Sequence, residues 1–333
     1  MLIQKYSGNP ILRAEQVPYP AGCVFNAGVT KLNGEYLMLF RNDYDYISGA
    51  TFGGTNLGLA RSSNGVDWIF DPEPAITAEQ AREAFRHSHA ERYGLEEIGR
   101  IYDPRISVID GLICVCTAMD TKHGVIGAML TTEDFKSFEL MSISTPDNRN
   151  MVLFPEKIND HYYRLERPFP VYGRGGGEAF DIWSSCSPDL KFWGDSRLVL
   201  GSEEVPYSNC KIGPAAPPIR TQAGWLTTIH AVYKDESRPL KAWGDQVWNK
   251  AYYAGLMLLD INDPQKVIGL AREPLLSPDT SYEIDGFRGE VIFPGGMILE
   301  DDGEVKIYYG AADTSVALAT AHVDNLLALC KPL

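Results

Sequence analysis

Two arginines, Arg149 in Asn148-Arg149-Asn150 and Arg167 in Arg167-Pro168, stand eighteen residues apart on either side of a strand–turn–strand pattern. A hairpin of that length brings both guanidinium groups to one end of a sheet. Paired guanidiniums clamp oxyanions, phosphate above all, because their forked donors meet two oxygens at once. The competing reading is a surface salt bridge for each arginine. Glu166 is the adjacent acid, but on a strand it points to the opposite face from Arg167. The chain carries a formal net charge of −14, so two converging cations are a local exception. The same charge argues against a nucleic-acid or anionic-membrane partner, which would need a basic face.

Turn signals show what positions these residues. A strand, an Asn/Asp/Gly turn and a second strand rich in aromatic and β-branched residues recur at Lys31–Phe40, Val108–Val115, Lys157–Tyr163, Thr221–Thr228 and Glu300–Tyr309. Asn-Gly and Asp-Gly between apolar runs are strong hairpin signals. A second pattern, a small-residue strand, a turn and often an aromatic, follows at Ala60–Trp68, Leu130–Phe138, Ser184–Trp193 and Met257–Pro264. Two hairpins make a four-stranded blade, and five such units make an all-β, five-bladed β-propeller. A β-sandwich with similar turns is the competing fold. The 333 residues form one propeller domain, interrupted by a helical insertion at about 77–100 and a loop insertion at about 235–249. The helical insertion rests on the strong helix formers of Ala78–Arg86.

The six cysteines are scattered, and Cys114 and Cys116 would face the same way on one strand. That is poor disulfide geometry and suits core packing, so a reduced, cytoplasmic protein is expected. The N-terminus shows no signal-peptide pattern, and no apolar run is long enough to span a bilayer.

In a propeller, polar residues at the starts of the innermost strands converge on the axial channel. By position these are Asn26, Asp103, Arg149, Lys211 and Glu290. Arg41, Asp43, Asp120, Arg167, His230 and Asp313 end the second strands. Each has an ordinary structural alternative: turn or cap aspartates, and a core histidine. Asp103 is further constrained to extended geometry by Pro104. Weaker signals carry little. Gly173-Arg174-Gly175-Gly176-Gly177 lacks the Lys-Ser/Thr ending of a phosphate loop, and the His87 and His89 pair lacks a third metal ligand. There is no serine-elbow motif, and no metal site is expected.

At these residues the chain resembles glycoside hydrolase family 130, the β-mannoside phosphorylases and related β-mannosidases. The matching motifs are Phe25-Asn26, Phe40-Arg41 with Asp43, Tyr102-Asp103-Pro104-Arg105, Asn148-Arg149-Asn150, Arg167-Pro168, Ser187-Pro188-Asp189 with Phe192-Trp193, Lys211-Ile212-Gly213, Trp225 with His230, and Tyr308–Thr314. The resemblance implies a five-bladed propeller with Asp103 as the sole catalytic acid, acting through the 3-hydroxyl of the transferred mannose. It implies phosphate held by Arg149, Arg167, Lys211 and His230. Asn26, Arg41, Asp43, Tyr102 and Asp313 fall at or near positions that grip the sugar. An arginine common in family phosphorylases before the strand Asn56-Leu57-Gly58 is replaced here by Phe52-Gly53-Gly54-Thr55.

The expectation is therefore an inverting phosphorylase. It would cleave a terminal β-mannoside, a β-1,4-mannooligosaccharide or a mannosyl-glucose or N-acetylglucosamine, to α-mannose 1-phosphate. It would use inorganic phosphate as co-substrate and no other cofactor, and the resemblance also implies a homo-oligomer. The alternatives are an inverting β-mannosidase of the same family, for which Glu290 is the one candidate second carboxylate, and a non-catalytic glycan-binding propeller. An arabinan- or xylan-type five-bladed hydrolase would leave the arginine pair idle.

Overall fold

The computed structural model describes residues 2–86, 98–170 and 179–333. The helix-forming run is a helix, Ala78–Arg86. His87, His89 and the Gly173–Gly177 run lie outside the described residues.

Antiparallel sheets follow one another along the chain as five blades. The innermost strands are Cys23–Leu32, Arg100–Ile109, Asn148–Leu153, Ile212–Pro214 and Ile292–Leu299 in blades 1 to 5. All five predicted first hairpins form. Asn33-Gly34, Asp110-Gly111 and Asn159-Asp160 hold positive φ at both turn positions, the twist-matched geometry that Asn, Asp and Gly tolerate best. The second hairpins share a side-chain turn. Asn64, Asp134, Asp189 and Asp260 each accept backbone N–H bonds from the two and three residues ahead through Oδ1. An Asx turn of this kind replaces a backbone turn and stops the strand.

Blade 5 breaks the repeat. Its third strand, Ser315–His322, runs into a helix, Val323–Leu329, instead of a fourth strand. The missing strand comes from the other end of the chain: Gln4–Lys5 pairs with Thr320 and Ala319. The C-terminal Cys330–Lys331 in turn pairs with the outer strand of blade 4. The N-terminal strand thus completes blade 5 and ties it to blade 1, while the C-terminal strand adds an extra edge strand to blade 4. Nothing in the turn pattern indicated this.

Apolar residues fill the spaces between blades. One cluster joins Leu37, Leu39 and Leu57 of blade 1 to Ile106, Val115 and Ile126 of blade 2, with Ala81 of the inserted helix. Cys114 and Cys116 both face a smaller cluster with Met129 and Leu153. The 235–249 loop closes on itself through Asp235 N–H to Asn249 O. It plants Trp243 against Tyr46 and Phe287, beside the long second hairpin of blade 1.

Candidate active site

The arginine hairpin forms as its spacing required. Arg149 and Arg167 are direct cross-strand partners in blade 3. Glu166 turns to the other face, where it meets Arg164 and Asn148, and so leaves Arg167 unneutralised. Arg167 is buried, and its Nη1 lies 2.9 Å from His230 Nε2. His230 Nδ1 is 3.2 Å from Pro214 O. The carbonyl can only accept, so Nδ1 carries the proton and Nε2 accepts from the arginine. Both ring nitrogens are thereby engaged, and His230 touches the site through Arg167. Gly213 pairs with His230 and leaves it room: a Cβ there would stand 2.7 Å from His230 Nε2 and 3.0 Å from Arg167 Cδ.

Aromatic rings wall this cationic corner. Arg149 and Arg167 lie over Phe169 at 5.3 and 5.5 Å, and Lys211 lies over Phe180 and Tyr252 at 5.7 and 5.6 Å. Among the described residues no carboxylate pairs with Arg149, Arg167 or Lys211. Arg167 Nε and Nη2 and Arg149 Nε are buried without a hydrogen-bond partner. Burial and the neighbouring Arg149 bring Arg167 down to about 9. Burial, then Arg167 and Arg149, push Lys211 well below the usual lysine range. Burial, Arg167 and Lys211 likewise hold His230 well below the usual histidine range. A buried charged donor left unpaired costs about 1–3 kcal/mol or more, and several are gathered here. An oxyanion satisfies the donors and relieves the repulsion together.

Across the channel the balance reverses. Arg41 donates to both oxygens of Asp43, at 2.6 Å from Nη2 to Oδ2, and its Nη1 meets Asp103 Oδ1 at 3.2 Å. Asn26 Nδ2 donates to the same Asp103 oxygen at 3.0 Å, and Thr55 Oγ1 to Asp43 Oδ1 at 2.8 Å. Asp103 Oδ2 has no partner among the described residues and is the atom free to exchange a proton. Burial works against the Asp103 anion, but Arg41, Arg105, Asn26 and Arg149 outweigh it and hold the carboxyl below its ordinary range. Asp313 is raised, by burial first and then by Asp103 and Asp43 against Arg288 and Arg41. Tyr102 links the halves: its hydroxyl donates to Asp120 Oδ1 at 2.7 Å and lies 3.5 Å from Arg149 Nη1.

The inner strands bend where these groups sit. Asn26, Asp103 and Asn150 hold φ of 48°, 55° and 60°, at breaks of register in blades 1, 2 and 3, so Asp103 is left-handed rather than extended as Pro104 predicts. Asn and Asp enter this left-handed region more readily than other non-glycine residues. Blade 3 therefore aligns on Asn150, one residue beyond the Arg149 that the turn pattern placed there. Glu290 departs further, since its carboxylate is ion-paired with Arg238 of the 235–249 loop and does not join Asp103.

Several residues of the site escaped sequence reasoning. Arg105 sits at the axis and donates to Ala215, Pro104 (2.8 Å), Pro294 (3.3 Å) and Asn26 (3.4 Å) carbonyls, tying four blades together. Its place after Asp103-Pro104 was the available signal. Arg100 reaches Asp43 Oδ2 at 3.3 Å and Asp120 Oδ2 at 3.6 Å. It brings a guanidinium from blade 2 toward the place where Phe52–Thr55 supplies none. Arg61, the nearest arginine on the following strand, pairs with Glu35 and Asp71 and does not fill that place. Arg288 faces Asp313 at 3.5 Å and lies over Trp248 at 5.1 Å.

A family model described as β-1,4-mannooligosaccharide phosphorylase matches residues 3–332. The chain is 32% identical to a β-1,4-mannooligosaccharide phosphorylase of Ruminococcus albus, covering 99% of this chain and 91% of that protein. It is 31% identical to a β-1,2-mannobiose phosphorylase of Listeria innocua, covering 98% of each. The solved structure of the Listeria innocua β-1,2-mannobiose phosphorylase in complex with β-1,2-mannobiose superposes with a TM-score of 0.80 at 27% identity over 99% of both chains.

Proposed function

The chain belongs to glycoside hydrolase family 130, and from that membership and the cationic corner of the channel we propose that it is an inverting β-mannoside phosphorylase. The observation that carries the reading is the set of buried, unpartnered arginine nitrogens on Arg149 and Arg167, beside a Lys211 that meets no carboxylate among the described residues. An inverting hydrolase needs a second carboxylate to activate water on the far side of the sugar ring. In this site cations occupy that side, and Glu290 is committed to Arg238. Phosphate is already a nucleophilic anion and needs only to be bound and aimed.

In this mechanism Asp43, Asp313, Asn26 and Arg41 grip the mannosyl unit, and Tyr102 spans the two halves. Arg149, Arg167 and Lys211 hold phosphate, with His230 orienting Arg167. A phosphate oxygen forms the bond to the anomeric carbon as the glycosidic C–O bond breaks. The leaving oxygen takes the proton supplied by Asp103, relayed through the sugar's 3-hydroxyl as the family resemblance implies. The Asp103 carboxyl acquires that proton once bound phosphate offsets the Arg149 charge that helps hold it ionised. The product is α-mannose 1-phosphate and a shortened sugar, and the phosphoryl proton released afterward balances the one Asp103 regains. Phosphate is a co-substrate here, and no metal or organic cofactor enters the reaction. For the bond cleaved we favour β-1,4, on the description of the matching family model, although the relatives include enzymes named for each linkage at nearly equal identity.

Incubation with β-1,4- and β-1,2-mannobiose, with and without phosphate, tests the reading. Mannose 1-phosphate should form only when phosphate is present. Free mannose released at the same rate without phosphate would make the protein a hydrolase and overturn the proposal.

A further inference from the structure

Between blades 2 and 3 the apolar packing ends near Trp193 and Met141. Beyond it the gap stays open as a crevice of about 490 Å³, a size typical of small-ligand clefts. It lies outside the axial channel. Strand alternation in Tyr162–Pro168 sends Arg164 and Glu166 into the crevice and Arg167 to the opposite face.

The crevice floor is polar and buried. Arg164 Nη2 is 3.1 Å from Glu166 Oε2, Asn148 Nδ2 donates to that oxygen at 2.9 Å, and Arg164 Nε donates to Ser185 Oγ at 3.0 Å. Glu166 is 6% exposed, yet its Oε1 has no partner among the described residues. The walls are aromatic: Trp183 and Phe192 line the crevice, and Phe192 is 75% exposed.

These features select one chemistry. Arg164 and Glu166 cancel at the buried floor, and the one further charge in the lining, Lys191, is exposed at the rim, so the floor itself offers an ion no net attraction. An apolar partner segment would cover Glu166 Oε1 without giving it a hydrogen bond. A pyranose has a flat C–H face to lay on Trp183 and Phe192 and hydroxyls to donate to Glu166. We propose that this crevice is a second saccharide-binding site, separate from the channel, that takes a neutral oligosaccharide. The inference rests on the proposed function only in choosing mannosides as first probes.

The test is calorimetric titration of the Asp103→Asn enzyme, without phosphate, with β-1,4-mannotetraose, β-1,2-mannotetraose and cellotetraose. At least one should bind at two sites per chain. Phe192→Ala and Ser196→Arg, the second filling the crevice from an exposed position, should each weaken one of the two by about tenfold or more. In the parent enzyme the same substitutions should leave KM for phosphate unchanged. One saccharide per chain across the whole panel, or a second site that survives both substitutions, overturns the inference. If crevice binding is found but mannosides are not phosphorolysed, the proposed function fails alone. If phosphorolysis is found with a single saccharide site, this inference fails alone.

Discussion

Arg167 is the residue on which the site's selectivity turns. It is buried, it stands beside another arginine, and two of its nitrogens have no partner. Arg167→Met should raise KM for phosphate by about tenfold to a hundredfold, the size of one or two hydrogen bonds to a charged group, and leave KM for the mannoside nearly unchanged. Steady-state kinetics with each substrate varied separates the two, and equal loss on both would mean that the site had collapsed. Lys211 adds a pH signature. A bound dianion favours its protonated form, whose pKa in the free enzyme lies well below the lysine range. Inhibition by sulfate, an anion of fixed charge, should therefore tighten as pH falls below the ordinary lysine value of about 10.4, and Lys211→Met should remove part of that dependence. A pH-independent inhibition constant would mean that Lys211 stays charged throughout.

At the scale of the element, the site is a set of strand ends whose register carries the chemistry. The Arg149–Arg167 pairing was legible because the hairpin's period fixes which residues share a face. The bend at Asn150 was not, because a register break adds a residue that no turn signal marks. Glu290 was misplaced for a related reason. Its position in the chain matched the other blades, but Arg238 on a distant loop claims its carboxylate. Gly213 tests how closely these elements approach. Gly213→Ala puts a methyl 2.7 Å from His230 Nε2, so it should displace His230 and weaken phosphate binding. KM for phosphate should rise at least about fivefold, in line with overpacking costs of about 1–3 kcal/mol. An unchanged value would show that His230 does not set the position of Arg167.

For the whole molecule, the ring is held closed by the N-terminal strand on blade 5 and by the axial Arg105. Near the first strand, Leu12 is fully buried against blade 5, and Lys5 reaches the buried Glu283 at 2.7 Å. Leu12→Ala should cost about 3 kcal/mol of stability, within the usual range for a core leucine, and chemical denaturation would measure it. A loss under about 1 kcal/mol would mean that the N-terminal segment merely decorates blade 5. Closure also explains how residues from different blades keep angstrom-level spacing. Asp103, Arg41 and Arg149 come from blades 2, 1 and 3, and a ring with fixed ends cannot splay them apart.

The sequence alone determined what repeats and what is local. It was enough for the hairpin turns, the number of blades, the pairing of Arg149 with Arg167, and the types of residue offered to the channel. Turn chemistry and side-chain alternation act over a few residues, so they can be read along the chain. The tertiary structure alone decided which of those residues meet. It sent Glu290 to Arg238, set His230 behind Arg167, drew Arg100 to Asp43, gave Arg105 four carbonyls from four blades, and closed the ring with the N-terminal strand. Those contacts join segments far apart in sequence, and only the packing of blade on blade determines them.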